Sequence, residues 1–312
     1  MNCLVTGASG FIGSALVKRL IQDGHHVRAI LHTNPPPHQD SEVEYVNADL
    51  TEPTSLSPLI YDIDIVFHCA ALVKDFGSKK EIMNVNLKGT QHLVETCDTK
   101  IQRFIFLSHL HSISTKKIKG YNYSKALAEH FLLEKHRTEQ FPTVIIRPGN
   151  VYGPGATTWC LRPLQAIQQD RIALIDKGDG LFLHTYIDNL IDGLLSAMIA
   201  SSIIGEIIEI TDGDNSTTWK TYLNDLAAIA GKPPIARNMT KTTANLISTY
   251  MMMRYHLLHK DPLLTPTAVH IFTNQRTVSI EKATKLLRYS PSVDYTEGMK
   301  RMALWLKTEH YI

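Results

Sequence analysis

The chain has 312 residues, enough to bury one large core or two unequal ones. Its 32 basic and 30 acidic side chains nearly cancel, which removes the electrostatic reason to expect a nucleic-acid partner. No apolar run approaches the roughly 20 residues of a membrane span. The four cysteines, Cys3, Cys69, Cys97 and Cys160, form no C-x-x-C pair. The histidines form no H-E-x-x-H pattern, so a reduced protein without bound metal is expected. Because the N-terminus already reads as a strand, no signal peptide is expected, and the cytoplasm is the expected location.

Cys3-Leu4-Val5 reads as a buried strand and Ser14–Leu20 as a helix, with the turn Thr6-Gly7-Ala8-Ser9-Gly10-Phe11-Ile12-Gly13 between them. Glycines on a strand-to-helix turn are what a dinucleotide fingerprint requires. Gly7 permits the tight turn, Gly10 admits a pyrophosphate close to the backbone, and Gly13 lets the helix pack near the sheet. The helix N-terminus, with its free N–H groups and dipole, then holds the phosphates, which makes Ser9, Phe11 and Ile12 cofactor contacts as well.

Val27–His32 reads as the second strand, ended by the proline-rich loop that begins at Thr33. The residue closing this strand meets the adenosine ribose: an acid there favours NAD, a base tolerates the 2′-phosphate of NADP. The position falls on His32, and no acid follows until Asp40, so NADP is expected over NAD. Val43–Val46 reads as the third strand. Asp49 after it reads by itself as a turn or cap residue before the helix near Pro53.

Asp64–Ala71 reads as a buried fourth strand ending in the small residues Ala70 and Ala71, which leave room for a ligand. Asn84–Thr90 falls on a long helix, where Asn86 has poor helical propensity and so suggests a specific task. Phe104–Ser108 reads as the fifth strand. In the helix from about Gly120, Tyr123, Leu127 and Phe131 form an apolar face. Tyr121 and Lys125 stand one turn apart on a different face. Val144–Gly155 reads as a sixth strand and a Gly/Pro loop that leaves the cofactor domain. Thr185–Asp192 and Glu206–Ile210 look like returns to the main sheet. The Met-rich stretch Thr243–Leu258 reads either as a helix buried in its own domain or as a surface for a lipid-like substrate or a membrane.

The glycine turn, His68-x-Ala70-Ala71, Asn86-x-x-Gly89-Thr90 and Tyr121-x-x-Ser124-Lys125, in that order, resemble the extended short-chain dehydrogenase/reductase superfamily. Gly178-Asp179-Gly180, Tyr186–Asp192, Pro262–Pro266 and Tyr289-Ser290-Pro291 lean toward its 3β-hydroxysteroid dehydrogenase and dihydroflavonol reductase branch. The resemblance implies an α/β fold: a Rossmann doubly wound parallel sheet with a smaller, mainly helical C-terminal substrate domain. We therefore expect residues 1–156 with 181–210 to build the dinucleotide domain, and 157–180 with 211–312 the substrate cap. The resemblance also implies that Asp49 and Leu50 flank the adenine, that Asn86 props the site through backbone bonds, and that Pro148 and Val151 lie along the cofactor. A small-molecule substrate is expected, and a homodimer formed through helices near 83–96 and 123–135.

The chemistry follows from Tyr121 and Lys125. A lysine ammonium one turn from a phenol favours the phenolate, and the tuned tyrosine then exchanges a proton with a carbonyl or alcohol while hydride moves to or from nicotinamide. The resemblance also puts Lys125 on the nicotinamide ribose. The chain departs from the family after the fifth strand, where Ser108-His109-Leu110-His111-Ser112 replaces the usual Ser-Ser or Ser-Thr. Carbonyl polarisation is open to Ser108, His109 or Ser112, with Ser108 placed first; its impairment is a further possibility. The expected reaction interconverts a secondary alcohol and a ketone. The alternatives are a sugar-nucleotide epimerase or dehydratase with tightly held NAD, and a cofactor-binding regulatory protein that has lost turnover.

Overall fold

The computed structural model describes residues 1–36, 39–97, 101–110 and 120–312. The elements run β1 (Asn2–Thr6), α1 (Phe11–Gln22), β2 (His26–Leu31), β3 (Val43–Asn47), β4 (Ile65–His68), α2 (Lys79–Met83), α3 (Gly89–Thr96), β5 (Arg103–Leu107), α4 (Tyr121–Glu139) and β6 (Thr143–Pro148). Next come β7 (Asn150–Tyr152), α5 (Arg162–Gln168), β8 (Leu174–Ile175), β9 (His184–Tyr186), α6 (Ile187–Ile199) and β10 (Ile207–Ile210). The chain continues through α7 (Trp219–Ile229), β11 (Asn238–Met239), α8 (Lys241–Leu258), α9 (Pro266–Phe272), α10 (Glu281–Leu287) and α11 (Tyr295–Thr308).

Seven parallel strands form one sheet in the order β10-β6-β5-β4-β1-β2-β3. The order reverses between β1 and β4, and open sheets of this kind bind ligands at that switch, beyond the strand C-termini. The sequence explains why these strands are interior. All four residues of β4 are buried, as in a strand covered on both faces. On α1, Gly13, Leu16, Val17 and Leu20 make the one buried stripe. The fold class is the Rossmann-like α/β fold that the motifs imply.

The chain divides into two compact units. The first comprises 1–148, 188–210 and 280–290, and the second 149–187, 211–279 and 291–312. The first division therefore falls after Pro148 rather than 156. Residues 150–152 pair with β9 instead of the large sheet, so the Thr185–Asp192 stretch is not a return to it. Only Ile207–Ile210 returns, beside β6. Residues 280–290 join the first unit, where Lys282 Nζ donates to the Ile207 carbonyl at 2.6 Å. The expected long helix around Asn86 is interrupted by a π-helical turn at Asn84–Lys88. In the second unit, Phe182 stacks on Tyr222 at 3.9 Å and packs on Trp219 at 4.6 Å. There the buried His184 lies between Asp212 at 2.7 Å and Asp214 at 3.3 Å.

Candidate active site

Close backbone contacts dictate the glycines of the turn. Gly7 has φ +69°, and a Cβ there would meet the Ala70 amide nitrogen at 2.7 Å. A Cβ on Gly13 would stand 2.1 Å from the Gly7 carbonyl oxygen, so α1 starts close against the end of β1. Gly10 caps α1 without any side-chain hydrogen bond, and no acidic residue occupies the first turn. The amides of that turn and the positive end of the dipole are thus left for an anion. Ser9, Gly10, Phe11 and Ile12 are partly or fully exposed at this lip. An uncapped helix start beside a turn that excludes side chains fits the pyrophosphate of a dinucleotide.

One hydrogen-bonded chain links β1, β4 and the Asn86 turn. Thr90 Oγ donates to the Asn86 carbonyl at 2.7 Å. Its oxygen must then accept from Nε2–H of His68, at 2.9 Å. A neutral His68 protonated on Nε2 accepts at Nδ1, so the Thr6 hydroxyl donates to it at 2.7 Å. Thr6 Oγ in turn accepts from the Ala70 amide at 3.1 Å. His68 stays neutral because burial, aided by the Lys125 charge, pushes its pKa down to about 3. His68 and Thr90 stand in the motifs, but the sequence does not signal their bonds to each other or to Thr6. Thr6 and His68 are 62 residues apart, and nothing local signals their pairing.

Asn86 bonds the backbone of the loop after β4. Its Oδ1 accepts from the Leu72 amide at 2.7 Å and its Nδ2 donates to the Leu72 carbonyl at 3.2 Å. Nδ2 also donates to Ser124 Oγ at 2.9 Å, and Ser124 donates to the Tyr121 carbonyl at 2.7 Å. The start of α4 is thereby tied to the loop after β4. A π-turn at such a site is a common functional distortion.

The buried face of α4 is not the one the apolar spacing suggests. Tyr123 is 41% exposed, whereas Asn122, Ser124, Lys125, Ala128, Glu129 and Leu132 are buried. Polar side chains on a buried helix face need partners. Glu129 has Arg147, which reaches it through two bonds of 2.9 and 2.5 Å. Lys125 Nζ lies 3.9 Å over the Phe106 ring. Burial lowers its pKa from 10.5 to about 7, with Cys69 and Glu129 opposing. The Tyr121 hydroxyl is pushed above the ordinary tyrosine range, by burial first and by Asp75 second. The expected lowering of Tyr121 by Lys125 is therefore not what this geometry produces, because desolvation dominates both groups.

Ser108 and His109 continue beyond β5 alongside β6. The Ser108 amide donates to the Ile146 carbonyl at 2.7 Å, and the Leu110 amide to the Pro148 carbonyl at 3.1 Å. The His109 ring stacks on Tyr121 at 5.0 Å. Ser108 Oγ is buried without a hydrogen-bond partner among the described residues. A buried hydroxyl in that condition is costly unless a ligand completes it. Ser112 lies outside the described residues.

At the far edge, His32 follows β2 and sits 3.2 Å from Asp49. Burial opposes ionisation of Asp49, but the Thr51 amide and hydroxyl and the His32 ring hold its carboxyl below the usual range. Asp49 is thus a turn-capping residue as well as a partner of His32. Leu50 is buried, and a Cβ on Gly89 would come within 2.9 Å of its own Cβ. Ala71 follows Ala70 directly after β4, Pro148 ends β6, and the buried Val151 lies on β7 in the second unit.

Known proteins add a family and a fold. The profile of the NAD dependent epimerase/dehydratase family matches residues 3–210. A 2-alkyl-3-oxoalkanoate reductase of Stenotrophomonas maltophilia is 27% identical, covering 97% of this chain and 98% of that protein. The decarboxylating sterol-4-alpha-carboxylate 3-dehydrogenase of Mus musculus is also 27% identical, over 96% of this chain and 89% of that one. The UDP-glucuronic acid 4-epimerase of Bacillus cereus, solved with UDP-glucuronic acid and NAD, superposes with a TM-score of 0.78. It is 26% identical and covers 99% of this chain and all of its own.

Proposed function

The chain belongs to the NAD-dependent epimerase/dehydratase family, and from that premise we propose that it is an oxidoreductase interconverting a secondary alcohol and a ketone on an apolar substrate. The observation that carries the reading is the buried Ser108 hydroxyl, without a partner among the described residues and next in sequence to the residue that stacks on Tyr121. The two oxidoreductase relatives, one named for an alkyl-oxoalkanoate and one for a sterol carboxylate, support the apolar class.

When bound, the dinucleotide supplies the hydride donor or acceptor. The turn at Gly7–Gly13 and the start of α1 hold its phosphates. Tyr121 gives a proton to the ketone oxygen or takes one from the alcohol, and Ser108 donates a hydrogen bond to the same oxygen. A phenol held above its ordinary range enters as the acid of ketone reduction. His109 holds the tyrosine ring by stacking, and Lys125 anchors the ribose. The exposed His32, beside the strand end where the ribose sits, supports NADP over NAD. The exposed Tyr123 and the half-buried Leu127 on α4 support a homodimer. Sedimentation of Tyr123→Glu as a dimer would sink that part of the reading.

The test is to extract the purified protein with heat and analyse what leaves it. The remainder is then titrated with NADPH and NADH and assayed for NADPH oxidation on 3-ketosteroids and 2-alkyl-3-oxoacids. A site that exchanges NADPH freely and turns over an apolar ketone is the expected result. Retained NAD with interconversion of UDP-sugars would instead establish the second reading, an epimerase, which the likeness to the UDP-glucuronic acid 4-epimerase favours.

A further inference from the structure

Helix α8 presents two different apolar faces. Ala244 and Ser248 are buried, with Ile247, Met251, Met252 and Tyr255 partly covered. That face packs in its own unit, where Ala244 joins Ile175 and Val269. On another side, Leu246 is 69% exposed, Tyr250 60%, Met253 57% and Leu257 75%. These four positions, spaced 4, 3 and 4 apart, fall within about 60° of one another at 100° per residue and run for about 17 Å along the helix. Leu258 and Leu263 extend the exposed apolar surface past its end, at 60% and 80% exposure. Single exposed apolar residues need no explanation, but a continuous stripe does.

The charges near the stripe lean basic, with acids at its two ends: Asp176, whose carboxylate accepts from the Lys241 amide at 2.7 Å, and Asp261. From Leu226 to Lys260 the chain carries Lys232, Arg237, Lys241, Arg254 and Lys260 and no Asp or Glu, although the whole chain is nearly balanced. Arg254 and His256 flank the stripe at about 80° on either side, by the same helical geometry. A narrow Leu/Met/Tyr stripe flanked by Arg254 and His256, on a helix that itself carries no acid, has the pattern of a helix that lies in a bilayer interface, with tyrosine at headgroup depth. No helix among the described residues is long and apolar enough to cross a membrane.

We propose that α8 docks in the plane of an anionic phospholipid surface, with Leu246, Tyr250, Met253 and Leu257 inserted and Arg254, His256 and Lys260 toward the headgroups. The inference does not depend on the catalytic reading, since its test measures no turnover. The full chain is floated with vesicles of 30 mol% phosphatidylglycerol in phosphatidylcholine, and with pure phosphatidylcholine vesicles. The wild type floats with the anionic vesicles and at least several-fold less with the neutral ones. Raising NaCl from about 0.1 to 0.5 M weakens the binding several-fold. Leu246→Glu/Leu257→Glu lowers partitioning at least tenfold, and Arg254→Gln/Lys260→Gln lowers it several-fold. Both variants keep the wild-type melting temperature and dinucleotide titration, because the altered side chains are exposed or half-exposed. The proposal is overturned by absence of flotation, or by equal flotation of the Glu variant. A wild-type dimer that becomes monomeric in the Glu variant without any vesicle binding would also overturn it and assign the stripe to a second copy.

Discussion

The Thr6 hydroxyl donates to Nδ1 of His68 at 2.7 Å, and the two residues stand opposite each other in the register of β1 and β4. The bond joins the glycine turn to the strand end that faces it across the sheet switch. Thr6→Val keeps the shape but leaves His68 Nδ1 and the Ala70 amide unpaired in the core. The expected cost is about 1–3 kcal/mol of stability, read from denaturant unfolding, with Thr6→Ser close to wild type. A Thr6→Val midpoint equal to wild type would show that the network contributes nothing.

Gly13→Ala places a methyl 2.1 Å from the Gly7 carbonyl oxygen. Either the turn opens or α1 shifts, and both spoil the phosphate cradle. Dinucleotide affinity should fall more than about tenfold and stability by about 1–3 kcal/mol. Gly24→Ala is the control: Gly24 has φ +77° but no atom within 4 Å of an added Cβ. It should lose only about 1–2 kcal/mol of backbone strain energy and retain dinucleotide binding in a fluorescence titration.

Three substitutions separate the chemistry. Tyr121→Phe should reduce turnover by about 10² to 10⁴ while leaving the dinucleotide Kd within a few-fold. Ser108→Ala should cost turnover more than His109→Ala does, because Ser108 offers the buried hydroxyl and His109 the stacking face. Steady-state assays in which Ser108→Ala is silent and His109→Ala is dead would reverse the assignment.

Lys125 makes stability depend on pH. Its pKa falls from 10.5 in the unfolded chain to about 7 in the fold. Between those values the unfolded state binds more protons at Lys125, so its contribution to stability rises with pH from about 7 and is lowest below it. The buried Cys3, Cys69, Cys97 and Cys160 thiols, raised from 9.0 to about 12, make stability fall again above about 9. The steepest slope is about 1.4 kcal/mol per pH unit. In Lys125→Met the rise should vanish and the protein should be more stable than wild type at pH 6. Melting curves of the dinucleotide-free protein from pH 6 to 10 measure the difference, and parallel wild-type and variant curves would refute it.

Asp49 sits 3.2 Å from His32. Removing that carboxylate with Asp49→Asn should leave His32 more available and raise the NADPH-over-NADH preference by a few-fold. His32→Ala should lower it. Paired titrations with the two cofactors decide this, and equal ratios in all three proteins would remove His32 from cofactor choice.

The fold was legible because its signals are local. Glycines at 7, 10 and 13 between an apolar strand and a helix, and buried four-residue strands such as Ile65–His68, report their environment within a few positions. Tyr121 and Lys125 are likewise one helical turn apart, so spacing alone puts them on one face. The sequence also showed that the residue pair after β5 departs from the family pattern. Spacing misled at α4, where Tyr123, Leu127 and Phe131 suggest the inner face while the polar Asn122, Lys125 and Glu129 occupy it. Burial there is decided by partners distant in sequence, Arg147 and Asn86 among them. The same holds for β9, which looks like a strand of the large sheet but pairs with β7. Local residue types thus specified the strand–turn–helix units and the order of the motifs. The neutral His68 relay, the desolvated Lys125 and the direction of the Tyr121 shift came only from tertiary packing, because hydrogen bonding across strands and exclusion of water depend on neighbours tens of residues away.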